Sequence, residues 1–141
     1  MIFEKHSIIN YFKMVTAITQ GVKISVETMY QDEYSNPGNE HFMFAYQITI
    51  ENLSDYAVQL IRRQWFIFDS NGTEREVEGE GVVGLQPVIE PGTSYTYVSG
   101  SHLNTDMGSM KGNYLMHRLV DQTDFTVDIP EFNLIVPYRL N

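Results

Sequence analysis

The chain has no cysteine in its 141 residues. A disulfide framework and a thiolate metal site are therefore both excluded. The absence is compatible with a reducing cytosol, and a cytoplasmic location is the expectation. Basic residues are scarce: nine Lys and Arg stand against eighteen Asp and Glu, a net charge of −9. A chain this acidic repels phosphate polymers at long range, so no nucleic-acid partner is expected. No apolar run approaches the roughly 20 residues needed to cross a bilayer. The first residues are broken by Glu4, Lys5 and His6 and make a poor signal peptide, so no membrane partner is expected either. Helical periodicity is also missing.

Strand signals are present, separated by turn chemistry. Val22 to Thr28 alternates apolar and polar residues. Phe42 to Glu51 places Phe42, Phe44, Tyr46, Ile48 and Ile50 on one face. Val58 to Asp69 is the richest strand, with Trp65 near its middle, and Asn71-Gly72 is a favoured hairpin dipeptide leading into Thr73–Glu78. Ser94–Ser99, Lys111–Arg118, Phe125–Ile129 and Phe132–Val136 complete about eight strands. Aromatic and β-branched residues favour this reading, and short strands at such spacing predict an all-β sandwich or barrel. The chain length fits one domain with its own core.

Residues 79–87 are the most informative segment. Gly79, Gly81 and Gly84 satisfy G-x-G-x-x-G, but a dinucleotide fingerprint needs a helix to begin there and hold the pyrophosphate. Pro87, Pro91 and the valines around the glycines argue against that helix. Two readings remain. Gly81 and Gly84 supply positive φ or close backbone contact at a strand end, or their amides line an anion nest. Five glutamates against one arginine over residues 70–92 oppose a bare phosphate.

Other constellations are read in the same way. Glu74, Glu76, Glu78 and Glu80 fall on one face of an extended strand, as an edge-protecting acidic row or a weak magnesium site. Arg63 and Trp65 share strand parity. Trp65 is expected in the core, and Arg63 must then find a carboxylate or a solvent exit, or serve as an anion or partner contact. Ser99-Gly100-Ser101-His102 sets hydroxyls beside an imidazole without a visible third group, and His6, His41, His102 and His117 have no metal-ligand spacing. No catalytic residue is assigned. Phe132 to Tyr138 reads as the last core strand, closed by Pro137.

The chain resembles the ApaG family from about Val22 to Pro137. The resemblance rests on Phe44-Ala45-Tyr46, on Arg63 and Trp65 within Gln59–Trp65, and on Gly79 to Pro87 as G-x-G-V-V-G-x-Q-P. Pro91-Gly92, Tyr95 and Tyr97, Ser99-Gly100, Gly108, Met110, Gly112 and Tyr114, and Ile129-Pro130 with Phe132 follow in the family's order. It implies an immunoglobulin/fibronectin type III-like two-sheet β-sandwich and an association with magnesium and cobalt homeostasis. Related domains in an F-box ubiquitin-ligase subunit and a DNA-polymerase-interacting protein imply a non-enzymatic protein-binding module without a cofactor. The expected partner is another protein, with the chain a monomer or weak homodimer. The alternative is a nucleotide or metal–phosphate ligand at the glycine-rich loop. Candidate ligand or partner residues are Gly79, Glu80, Gly81, Gly84 and Arg63, and weak metal candidates are Glu74, Glu76 and Glu78. Expected boundaries are an extension and lead-in over 1–21, with Met14 a candidate start, a domain over 22–137 and a tail over 138–141.

Overall fold

The computed structural model describes residues 14–140, so the expected extension over 1–13 lies outside the described residues. Strands and short 3-10 turns make up the ordered elements. One sheet has the order β1-β2-β3-β7, from β1 (Val15–Thr19), β2 (Val22–Tyr30), β3 (Phe42–Asn52) and β7 (Ser94–Leu103). The other has the order β5-β4-β8-β9, from β4 (Val58–Asp69), β5 (Glu74–Glu80), β8 (Met107–Arg118) and β9 (Thr123–Ile135). The two-residue β6 (Val88–Ile89) also pairs with β4. All the pairings are antiparallel. Among the described residues no helix is long and apolar enough to cross a membrane.

The core lies between the sheets. Alternation on β3 buries Phe42, Phe44, Tyr46, Ile48 and Ile50 together, and β2 adds Val22, Ile24 and Val26. From the facing sheet come Leu60, Trp65, Ile67, Met110, Tyr114 and Met116. Trp65 is 3% exposed and meets Tyr46 and Phe132 edge-on, with ring centroids 5.3 and 5.8 Å away. The two sheets also share a polar contact, a buried hydrogen bond between the hydroxyls of Tyr97 on β7 and Tyr114 on β8.

Two bulges change which residues point inward. On β4 the register slips between Leu60 and Arg62, leaving Ile61 as the extra residue. Strict alternation would put Leu60 and Trp65 on opposite faces; the bulge puts both inside. On β9 the slip falls between Ile129 and Phe132. The sequence predicts two strands there, Phe125–Ile129 and Phe132–Val136. The structure has one continuous strand, because Pro130 and Glu131 are absorbed opposite the single residue Lys111. Proline lacks the ladder N–H, and a bulge is where a strand tolerates it.

Residues 15–19, read from sequence as lead-in, form β1 and pair along β2. This closes one side of the sandwich: β9 packs beside β1 and β2, and the Asp128 amide donates to Thr19 Oγ1 at 3.2 Å. On the other side the edge strands β5 and β7 face each other without such closure. At the end of the chain, Pro137–Leu140 forms a 3-10 turn held by Asp106, which accepts from Tyr138 Oη at 2.7 Å and pairs with Arg139 at 3.1 Å.

Removing the Trp65 ring leaves a cavity that facing sheets cannot collapse around. Trp65→Ala is expected to lose about 3–5 kcal/mol in denaturant unfolding. A midpoint close to that of the parent would show that the ring is not a core element.

Candidate functional site

The glycine-rich segment contains no helix. Residues 81–87 form a tight loop between β5 and β6, and it is tied to the bulge of β4. The Gly81 amide donates to Ile61 O at 2.8 Å, and Gln86 Nε2 donates to the same oxygen at 3.0 Å. The Leu60 amide donates to Pro87 O at 3.0 Å, and Gln59 Nε2 to Gln86 O at 3.1 Å. Inside the loop, Val82 and Leu85 exchange backbone hydrogen bonds at 2.8 and 3.0 Å. The amides of Gly81, Val82 and Leu85 therefore all donate to carbonyls of the chain itself.

Two of the glycines have distinct geometric reasons. Gly81 has φ of 61°, and a Cβ there would lie 2.0 Å from Leu85 O. A Cβ on Gly79 would sit 3.1–3.4 Å from the Arg63 guanidinium, so Gly79 leaves the space in which that group lies. Gly84 has φ of 77° and open space around it. Val83 shares the left-handed region, at φ 47°, which is rare for a β-branched residue.

Arg63 joins the two motifs. Its Nη1 donates to Glu80 O at 3.1 Å and to Gly81 O at 2.9 Å. Among the described residues it makes no ion pair, so main-chain carbonyls and an open cleft stand where the sequence suggested a carboxylate or a solvent exit. The candidate residues Arg63, Gly79, Glu80 and Gly81 thus come together, with Gly84 further out at the loop tip. Glu74, Glu76, Glu78 and Glu80 are exposed on β5, an edge strand, opposite Phe68, Phe66, Gln64 and Arg62. Among the described residues no three His, Asp or Glu converge as a metal site would require.

The other face of β5 carries Arg75, Val77 and Gly79, opposite Ile67, Trp65 and Arg63. This face and β7 bound a cleft of about 290 Å³ at the open side of the sandwich, whose lining includes Tyr46, Arg63, Trp65, Arg75, Ser99 and His102. The alternation of Arg75, Val77 and Gly79 was visible in the sequence, hidden behind the more conspicuous glutamates. Arg75 reaches across to β7. Its Nη2 donates to His102 O at 2.6 Å and to Ser101 Oγ at 3.3 Å, and Nη1 lies 3.0 Å from His102 Nε2. Because a guanidinium only donates, His102 Nε2 is the acceptor. Ser101 and His102 thus both serve Arg75. His102 also stacks on His41 at 5.3 Å. Burial raises the Tyr46 phenol, while Ser99 and the charge of Arg63 pull it down.

Known proteins can be set beside this arrangement. Residues 32–118 match the family model described as the ApaG domain. The chain belongs to the ApaG domain family. It is 50% identical over 122 residues to Protein ApaG of Vibrio cholerae, covering 85% of this chain and 94% of that one. Protein ApaG of Escherichia coli O1:K1 is 48% identical over 118 residues, with 82% and 92% covered. The crystal structure of a putative ApaA protein from Bordetella pertussis superposes with a TM-score of 0.79 at 38% identity, covering 82% of this chain and 94% of that one. The two most specific segments of the ApaG-like pattern, Gln59–Trp65 and Gly79–Pro87, are the ones that meet at the β4 bulge.

His102 and His117 of this ApaG domain are shifted in opposite directions. His102 is held below the usual 6.5 by burial first, then by Arg75 and His41. The unfolded chain therefore binds a proton that the folded chain refuses at this residue, and the contribution of His102 to stability is lost as pH drops below about 6.5. His117 is raised above 6.5 by its contact with Asp124 at 2.6 Å and by Gln122. That contribution is fully present below 6.5 and is lost as pH rises through the folded value. An NMR titration of the ring protons should give His117 the higher midpoint, and Asp124→Asn should lower it. The reverse order of midpoints would contradict the geometry.

Proposed function

We propose that this chain is a non-enzymatic protein-binding module whose partner docks on the 81–87 loop and the adjoining Val88. The observation that carries this is the loop's surface. Val83, Leu85 and Val88 are 63%, 57% and 46% exposed within a short, immobilised segment. Apolar side chains presented this way do nothing for the core, and clusters of them mark interaction surfaces. Val83 adds a second sign, because a β-branched residue held at positive φ is strain the surroundings must enforce. The hydrogen bonds to Ile61, Leu60 and Arg63 enforce it, so the surface is ordered before a partner arrives and little further entropy is lost on docking.

The glutamates of β5 and Glu90 flank the loop in sequence. They favour a partner whose apolar contact is ringed by basic groups. A non-enzymatic reading is supported by Ser101 and His102, whose polar groups bind Arg75 rather than each other. Action in the cytoplasm as a monomer or weak homodimer completes the proposal, and a role in divalent-cation homeostasis follows the family resemblance. The immunoglobulin/fibronectin type III likeness implied by that resemblance fits a scaffold that recognises partners through a loop. The small-ligand alternative at the loop amides is less favoured, because three of them already donate to carbonyls within the chain.

The test places a photo-crosslinking amino acid at Val83 and, as a control, at the exposed Ile18 on β1, with and without magnesium. A discrete adduct from position 83 alone is expected. Leu85→Asp, at an exposed position, should weaken binding of that partner at least about tenfold, or about 1.4 kcal/mol, with unchanged melting. Equal crosslinking from both positions, or full binding by Leu85→Asp, would sink the proposal.

A further inference from the structure

The open side of the sandwich has a composition that the fold alone does not require. Arg63 and Arg75 both line its cleft, although the chain has only nine Lys and Arg and a net charge of −9. Among the described residues neither arginine forms an ion pair. The glutamates of β5 alternate with Arg75, Val77 and Gly79 and so lie on the opposite face of the strand. Asp69 lines a small adjoining cavity with Arg75 and His102, but its oxygens accept from the amides of Asn104 and Thr105 at 2.7 and 3.0 Å. Two half-buried guanidinium groups thus share a concave surface with no carboxylate partner among the described residues. A cation withdrawn from water without a counter-charge is unfavourable, and the missing counter-charge is what a ligand can supply.

The donor inventory sharpens this. Both hydrogen bonds of Arg63 among the described residues leave from Nη1. The Nε and Nη2 edge, the side that grips a carboxylate or phosphate with two parallel bonds, has no protein acceptor among them. The hydroxyl-bearing residues Tyr46, Ser99 and Ser101 line the same cleft. Between the arginines the wall is apolar: Trp65, Ile67 and Met110 line it with Val77, which faces inward opposite Trp65 yet stays 42% exposed. On β5, Arg75 and Gly79 are four residues apart, about 13 Å at 3.3 Å per residue, so the wall is long enough for a ring or short chain beside a charged head.

We propose that the cleft between β5 and β7 binds a small organic anion, with its carboxylate or phosphate on Arg63 and its apolar body over Val77 and the edge of Trp65. The site is separate from the loop surface formed by Val83, Leu85 and Val88. Arg63 serves both, holding the loop through Nη1 and leaving its other edge to the ligand.

The full chain is titrated with phenylacetate, phenyl phosphate, inorganic phosphate and the neutral benzyl alcohol, followed by ¹H–¹⁵N NMR and Trp65 fluorescence. Saturable shifts at the Trp65 indole, Gly79 and Ser99–His102 are expected from at least one aromatic anion. Phenylacetate above phenyl phosphate assigns a carboxylate ligand, and the reverse assigns a phosphate. Inorganic phosphate should bind more weakly than either. Val77→Glu adds a negative charge at an exposed position and removes no hydrogen bond, so it should reduce affinity at least about tenfold while the fold is kept. Arg63→Ala should abolish binding, but it also releases the loop carbonyls, so Val77→Glu is the deciding variant. No saturable shift up to about 10 mM of any anion, equal binding of benzyl alcohol, or unchanged affinity in Val77→Glu would each overturn the proposal. Leu85→Asp should leave anion binding intact, which separates this result from the fate of the protein-docking surface.

Discussion

The carbonyl of Ile61 is the point on which the structure turns. It belongs to the extra residue of the β4 bulge, and it accepts from both the Gly81 amide and the Gln86 side chain. A bulged residue leaves the ladder locally unpaired, and an unpaired carbonyl at the edge of a core is unfavourable. The glycine-rich loop satisfies it. In return the bulge brings Leu60 and Trp65 onto the same face, and the core between the sheets is built around them. Arg63, two residues beyond the bulged Ile61, closes the arrangement by donating to the carbonyls of Glu80 and Gly81. Two sequence motifs that look like separate features are therefore one mechanical unit.

The sandwich is asymmetric about this unit. On the side of β1 and β9 the sheets close on each other. On the side of β5 and β7 the inward positions become small, polar or charged: Arg75, Gly79, Ser99 and Ser101 replace aliphatic groups. Close packing there would need larger apolar side chains. The chain instead spans the gap with one long side chain, Arg75, and leaves the rest as a cleft. The acidic row on the outer face of β5 suits an edge strand, where repeated charge opposes unplanned pairing with another chain.

Much of this was legible in the sequence where alternation is unbroken. β3 shows its core face in Phe42, Phe44, Tyr46, Ile48 and Ile50, and Trp65 shows its burial by its apolar surroundings. The prolines and valines of the glycine-rich segment were enough to reject a helix. Illegible were the events that break the period. A bulge leaves no residue type that marks it, so Ile61 looked like any strand residue and Pro130 looked like a strand break. The partner of Arg63 was hidden for a related reason: carbonyls belong to every residue, and sequence cannot say which ones converge. The cleft was missed because it is made by two strands distant in sequence, and because the alternate positions of β5 were overshadowed by its glutamates.

The hydroxyl pair of Tyr97 and Tyr114 has a mechanical consequence. Burial pushes both phenols above their ordinary range, so both remain neutral wherever the protein is folded near neutral pH. Each sits on a different sheet, and each is the other's buried partner. Sliding or rotating one sheet against the other by a fraction of a residue would orphan two hydroxyls in an apolar interior. Hydrophobic burial is non-directional, whereas a hydrogen bond has a preferred distance and angle. The phenol pair acts as an indexing pin: it adds little grip, but it selects one alignment of the two sheets.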